Sequence, residues 1–197
     1  MTPFAKLGLS NQLTKTLEKS GYNKPTPIQL QVIPLMLQGY DIVGIAQTGT
    51  GKTAAFVLPL LERLKANQNK AIPKHCGALI IVPTRELAKQ IDDNIDKYGA
   101  STYHQRACIV GGMKYPRQIK RLNQGLDILV ATPGRLEDHL KSGNLSLAKT
   151  ETIILDEADQ MLDLGFFPAI RRIVKQSPKA RQTVLLSATM PKPIRAL

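Results

Sequence analysis

Two clusters in this sequence carry side chains suited to holding and cleaving phosphate. The first is Ala46-Gln47-Thr48-Gly49-Thr50-Gly51-Lys52-Thr53. It follows the apolar run Ile42-Val43-Gly44-Ile45 and precedes a helix-compatible run, Ala54 to Leu64. Strand, glycine-rich turn, Lys-Thr and helix together have the layout of a phosphate-binding loop. Backbone N–H groups wrap the phosphates and the helix N-terminus adds positive potential. Lys52 would reach the β and γ phosphates, and the Thr53 hydroxyl would ligate Mg²⁺. Ala46 stands where the strict pattern has Gly, so a glycine-rich turn into an ordinary helix is the plainer reading; the flanking strand and helix weigh against it.

The second cluster, Asp156-Glu157-Ala158-Asp159, follows four β-favouring residues and has the form of a Walker B site. Asp156 would hold the Mg²⁺ shell, and Glu157 would orient or deprotonate the attacking water. Taken alone, these carboxylates would be read as first-turn residues suiting a helix dipole. Paired with Lys52 and Thr53 they supply what the loop lacks. Arg85 and Arg135 each sit just past an apolar run, at or near a helix start, where a cation opposes the dipole. A bound phosphate would reverse that sign, and Thr84, Thr132 and the first-turn amides suit one. The competing reading is plain surface arginines, Arg85 being balanced by Glu86.

Other polar positions stay open at this level. Gly111-Gly112 permits close approach to a ligand or makes a simple turn. Ser187 and Thr189 could cap a helix beginning near Pro191. Gln29 lies three residues after Thr26, with Pro27 between them, which fits the reciprocal half of a capping box. Met161, Leu162, Leu164, Phe166 and Phe167 read as packing, and Arg171, Arg172, Lys175, Lys179 and Arg181 as a solvated basic face.

The elements that must position these groups are short apolar runs. They are Ile42–Ile45, Leu79–Val82, Ala107–Val110, Ile128–Ala131, Thr152–Leu155 and Thr183–Leu186. Runs without alternation suit strands covered on both faces. Helices are expected over 10–20, from Pro27 to about Gln38, from Ala54 to Leu64, from Arg85 through Lys97, and from Arg135 to Ser142. Strands alternating with helices imply an α/β fold with a mostly parallel sheet, whose C-terminal strand ends form the ligand edge. The loop at Ala46–Thr53, Pro83–Arg85, Gly111-Gly112, Thr132–Arg135, Asp156–Asp159 and Ser187–Thr189 each follow such an end. The polar, basic connection from Lys65 to Lys74 is expected to be the mobile segment.

The chain has 197 residues, room for one domain with a full core. No apolar run reaches membrane-spanning length, and the N-terminus lacks the pattern of a signal peptide. Two widely separated cysteines, Cys76 and Cys108, read as free thiols in a reducing compartment, which means the cytoplasm. The net charge of +12 suits a polyanionic partner, nucleic acid first, and equally a generic basic surface such as many cytosolic proteins carry.

In this order the clusters resemble the DEAD-box family of ATP-dependent RNA helicases, bacterial RhlE-type members being the most similar in pattern. Phe4 with the stretch Gly21 to Gln29 resembles the Q motif and its upstream aromatic. Ala46–Thr53 resembles motif I, Pro83–Ala88 motif Ia, Gly111-Gly112 the GG motif and Thr132–Arg135 motif Ib. Asp156–Asp159 resembles motif II and Ser187–Thr189 motif III. The resemblance implies a RecA-like P-loop domain over 1–197, with a Q-motif region over 1–40 and helices on both sheet faces. It implies that ATP and Mg²⁺ bind here, with Gln29 reading the adenine edge and Phe4 and Tyr22 near the base. It implies that Pro83, Thr84, Arg85, Gly111, Gly112, Thr132, Pro133, Gly134 and Arg135 hold an RNA backbone irrespective of base sequence. It further implies that Asp159, Ser187 and Thr189 couple hydrolysis to closure against a second RecA-like domain, to which nothing in this chain corresponds. The end at Leu197 is expected to fall inside the domain's closing helix. A DNA-acting core, or an ATP-dependent RNA clamp without turnover, would share most of these contacts; RNA-specific stimulation of ATPase separates the first and turnover the second.

Overall fold

Six of the apolar runs become six strands, and each is followed by a turn and a helix. The computed structural model describes residues 2–66, 71–100 and 104–195. After a 3-10 turn at Ala5–Leu7 come α1 (Asn11–Lys19), α2 (Pro27–Leu37), β1 (Ile42–Ile45) and α3 (Lys52–Ala66). Next are β2 (Cys76–Ile81), α4 (Arg85–Tyr98), β3 (Arg106–Ile109), α5 (Tyr115–Leu122), β4 (Leu126–Ala131) and α6 (Pro133–Lys141). The chain continues with β5 (Thr152–Leu155), α7 (Ala158–Asp163), α8 (Phe167–Lys175), β6 (Gln182–Ser187) and α9 (Lys192–Arg195). Part of the connection expected to be mobile, residues 67–70, lies outside the described residues, as do 196–197, on which the expected closing helix falls.

All strand pairs are parallel, in the order β1-β6-β5-β2-β4-β3. Parallel strands need crossover helices, and these cover both faces. Successive residues of one strand enter opposite cores, as the period of two requires. Ala78, Ile80 and Val82 pack with α1 to α4, whereas Leu79 and Ile81 pack with α5 to α9.

The strand at the P-loop edge departs from the expectation of cover on both faces. Ile42 and Gly44 are buried, but Val43 is 66% and Ile45 61% exposed. β1 is an edge strand, and α2 packs on the face that carries Ile42 and Gly44. Helix α5 was not anticipated from the sequence. The strand bounds also extend further than the apolar runs: β2 begins at Cys76 and β4 at Leu126, because ladder pairing recruits polar residues beside the hydrophobic ones. Among the described residues no helix is long and apolar enough to cross a membrane. Cys76 and Cys108 are free, and burial pushes both thiols up to about 11, which leaves them unreactive near neutral pH.

Candidate functional site

The strand order sorts the sequence clusters along one edge of the sheet. The C-terminal ends of β1, β6 and β5 carry Ala46–Thr53, Ser187 and Asp156–Asp159. The ends of β2, β4 and β3 carry Pro83–Arg85, Thr132–Arg135 and Gly111-Gly112. One half therefore gathers the candidate phosphate-cleaving groups, and the other gathers the arginines.

In the first half, register pairs Ile45 with Ser187, and Ala46 N–H donates to Ser187 C=O at 3.0 Å. The loop then turns through Gly49 and Gly51, at φ +81° and +88°. Gly51 has a second reason to be glycine, since a Cβ there would lie 2.5 Å from Gln29 Nε2. Gln29 itself is buried, and both ends of its amide are engaged. Its Oε1 accepts from Thr26 N–H at 3.0 Å, and its Nε2 donates to Gly51 C=O at 3.1 Å. The Gln29 half of the capping box forms, whereas the buried Thr26 Oγ1 has no hydrogen-bond partner among the described residues; the same Gln29 side chain also fastens the start of α2 to the loop.

Lys52 opens α3 and is 6% exposed, yet its Nζ has no hydrogen-bond partner. A buried ammonium without a partner is costly, so this atom fits an anion from outside the chain. Asp156 is 2% exposed. Burial pushes its carboxyl up to about 6; the Lys52 ammonium pulls it down and Glu157 pushes it further up. Glu157 N–H donates to Asp156 Oδ1 at 3.0 Å. Glu157 lies at φ 55°, ψ 50°, a left-handed conformation that costs a non-glycine residue on the order of 1–3 kcal/mol. Glu157 is half-buried and stands just past the end of β5. Asp159 is held from β6: Ser187 Oγ accepts from Asp159 N–H at 3.1 Å, and Asp159 Oδ2 accepts from Thr189 N–H at 2.9 Å and Thr189 Oγ1–H at 3.1 Å. These hydroxyls serve Asp159, and the reading of them as caps for α9 fails. Among the aromatics, Phe4 is a core residue at 2% exposure, and Tyr22 lies edge-on to Tyr98, accepting its hydroxyl at 2.8 Å.

In the second half, Thr84 caps α4 by accepting from Leu87 N–H at 3.2 Å, which sets Arg85 in the first helical position. Arg85 makes no ion pair with Glu86 or with any other described carboxylate. Its guanidinium lies against Gly111 and Gly112, where a Cβ on Gly112 would collide with Nη1. These two glycines are thus a seat for Arg85. A cleft of about 480 Å³ is lined by Pro83, Thr84, Arg85, Gly111, Thr132, Gly134 and Arg135, with the carboxylates Glu86 and Asp138 and the Phe166 ring at its walls. The buried Pro133 forms the first turn of α6 beside it, with Thr132 as N-cap. Arg135 differs from Arg85 in being held by protein: Nη1 donates to Gln118 Oε1 at 3.2 Å, Nε lies 3.7 Å from Asp138, and the guanidinium sits 5.3 Å from the Tyr115 ring centroid. Burial holds the neighbouring His139 below the ordinary imidazole range, and the Arg135 charge adds to this. Gln118, Tyr115 and His139 were not singled out from the sequence. Gln118 and Tyr115 lie on α5, whose signal was Pro116 in the first turn with Ile119 and Leu122 three apart, whereas His139 lies on α6.

This geometry agrees with what the chain is similar to. The DEAD/DEAH box helicase family model matches residues 26–197. The DEAD-box ATP-dependent RNA helicase CshA of Geobacillus kaustophilus is 46% identical over 197 residues, covering 100% of this chain and 41% of that protein. The ATP-dependent RNA helicase CshA of Limosilactobacillus reuteri is 47% identical over 194 residues, covering 98% of this chain and 38% of its own length. The chain thus spans about two fifths of these curated relatives. The crystal structure of a DEAD box protein from the hyperthermophile Methanococcus jannaschii superposes with a TM-score of 0.91 at 42% identity, over 100% of this chain and 52% of that one. With a loop, a carboxylate pair and an arginine cleft arranged on one parallel sheet as the sequence order requires, and a family model covering most of its length, the chain belongs to the DEAD/DEAH box helicase family.

Proposed function

We propose that residues 1–197 are the N-terminal RecA-like half of a cytoplasmic ATP-dependent RNA helicase, working with a second RecA-like domain outside this span. The observation that carries this reading is the buried Lys52 ammonium, left without a partner beside the loop and Asp156. The backbone of Gln47 to Gly51 and Lys52 hold the β and γ phosphates of ATP, and Gln29 reads the adenine edge with Tyr22 and the Phe4 region behind it. One carboxylate and one hydroxyl, Asp156 and Thr53, fit Mg²⁺, which takes few protein ligands alongside phosphate oxygens. When bound, Mg²⁺ neutralises charge on the phosphates. Glu157 accepts the proton of the attacking water. Asp159, Ser187 and Thr189 pass the state of the β5 end to β6 and so to domain closure. Arg85 and Arg135, with Thr84, Gly111, Gly112 and the Thr132–Gly134 turn, grip one RNA strand by its phosphates, and closure bends it out of its duplex.

The test is ATP hydrolysis by the full-length protein with RNA and with DNA of equal length. RNA should stimulate turnover and DNA should not, since contacts to the 2′-OH distinguish the two sugars. Equal stimulation by both would reject RNA as the substrate class.

Gln29→Ala tests the adenine assignment. Because both ends of the amide are engaged, stability should fall by about 0.5–2 kcal/mol, as for a lost cap. Discrimination of ATP against GTP should erode as well. Thermal melting together with competition between the two nucleotides reads both effects. A stability loss with selectivity intact would leave Gln29 as a cap and loop fastener only.

A further inference from the structure

We propose that Gln118 is a positioning residue that locks Arg135 for phosphate contact and ties it to the Gly111-Gly112 turn. Gln118 lies on α5, outside every sequence cluster assigned above, and is 3% exposed. Its Nε2 donates to Val110 C=O at 2.9 Å, immediately before the two glycines. Its Oε1 accepts from Arg135 Nη1 at 3.2 Å and from His139 Nε2 at 2.8 Å. An amide oxygen only accepts, so His139 carries its proton on Nε2 and presents Nδ1 to Asn144 Nδ2, 3.4 Å away. The His139 ring is fully buried and stacks on Tyr115, with centroids 4.4 Å apart and planes 5° apart. The Tyr115 ring in turn faces the Arg135 guanidinium. One amide thus joins the end of β3, α5 and α6, and it bonds the one arginine of the cleft that protein groups hold.

The chemistry favours a positioning role over mere filling. A free arginine loses much rotamer freedom when it grips a phosphate. An arginine already bonded at Nη1 and flanked by an aromatic ring has lost that freedom in advance. The Nη2 group makes no hydrogen bond among the described residues and remains for a ligand. Gln118 also fixes Val110, and through it the turn that seats Arg85, so the two arginines are set relative to one another.

This inference rests on the reading that Arg135 holds an RNA phosphate, and the experiment separates the two. The full-length protein is assayed for RNA-stimulated ATPase as wild type, Gln118→Leu, Arg135→Ala and the double variant, with melting temperature recorded for each. Gln118→Leu should raise the RNA concentration for half-maximal stimulation about three- to tenfold, the size of one lost hydrogen bond. Turnover at saturating RNA and the KM for ATP should not move. In the Arg135→Ala background the same substitution should add nothing, because the group it positions is gone. Full additivity, or no rise in the single variant, would overturn the proposal. If Arg135→Ala alone leaves the RNA requirement unchanged, the RNA reading of this cleft has failed and the inference falls with it. Should Gln118→Leu not fold, Gln118→Met keeps chain length and serves in its place. The wild type also gives an independent readout by NMR: the Arg135 Nε–H should show an order parameter near ~0.85, as rigid backbone does. A value below ~0.6 would mean that nothing locks the side chain.

Discussion

Lys52→Met is expected to stabilise the nucleotide-free protein and to abolish its stabilisation by ATP. The two halves of this result have opposite signs and one cause. Lys52 is 6% exposed with its Nζ unpartnered, so the folded chain carries a charge poorly compensated by protein. Nearby Asp156 offsets part of that cost, but its carboxyl is itself pushed up to about 6 by burial, and it makes no ion pair with Lys52. Methionine keeps the length and the apolar stem. Removing the ammonium should raise stability by about 1–3 kcal/mol, the usual penalty of an unsatisfied buried polar group, or roughly 2–12 °C in melting temperature for a chain of this size. Wild-type protein at 100 times its Kd for ATP gains about 2.7 kcal/mol by mass action. The variant should gain nothing measurable at the same concentration. Melting curves with and without nucleotide decide it. A variant less stable than wild type, with its ATP shift intact, would mean that Lys52 already has its partner inside the protein.

What was legible in the sequence followed from local rules, and what was missed needed the third dimension. The strands could be read because a parallel sheet covered by crossover helices demands unbroken apolar runs, and Leu79 to Val82 is one. Cover on both faces of β1 was over-read, since Ile42–Ile45 looks the same as a central strand; only its place at the edge exposes Val43 and Ile45. The order β1-β6-β5-β2-β4-β3 cannot be read from periodicity, yet it is what puts Ser187 between the loop and Asp156 and gathers the arginines apart from both. Gln29 shows the limit of choosing between roles. The capping box was readable from Thr26 and the spacing, whereas the bond to Gly51 crosses 22 positions in sequence. Helix α5 went unread because a glycine pair and two polar turns framed only eight residues, so Gln118 had no element to be placed on. Arg85 and Glu86 are neighbours in sequence, which suggested balance, but no ion pair forms between them, although both line the same cleft.

Glu157→Gln should yield a protein that binds ATP and RNA together and fails to turn over. The substitution removes a charge and a proton acceptor while keeping shape, and it leaves the left-handed backbone at φ 55° no more strained than before. Asp159 keeps its bonds to Ser187 and Thr189, so the connection from β5 to β6 survives. On the proposed assignment Lys52 and Asp156 act on nucleotide and metal, and their loss should impair binding as well as chemistry. On the same proposal Glu157 acts on water, so only the chemical step should suffer, by the roughly 10²–10⁴-fold that general bases contribute. With hydrolysis slowed, the closed state persists. If closure requires both ligands, as proposed, each should tighten the other by the same factor, as reciprocity of coupling demands. RNA should therefore leave the full-length variant slowly while ATP is present and quickly once the nucleotide is removed. The measurement is RNA dissociation with and without ATP, set beside steady-state hydrolysis. Near-normal turnover together with equal dissociation rates would show that Glu157 does not handle the water. The strained carboxylate at the end of β5 would then need a different role, and the proton acceptor would have to be sought elsewhere on the same edge of the sheet.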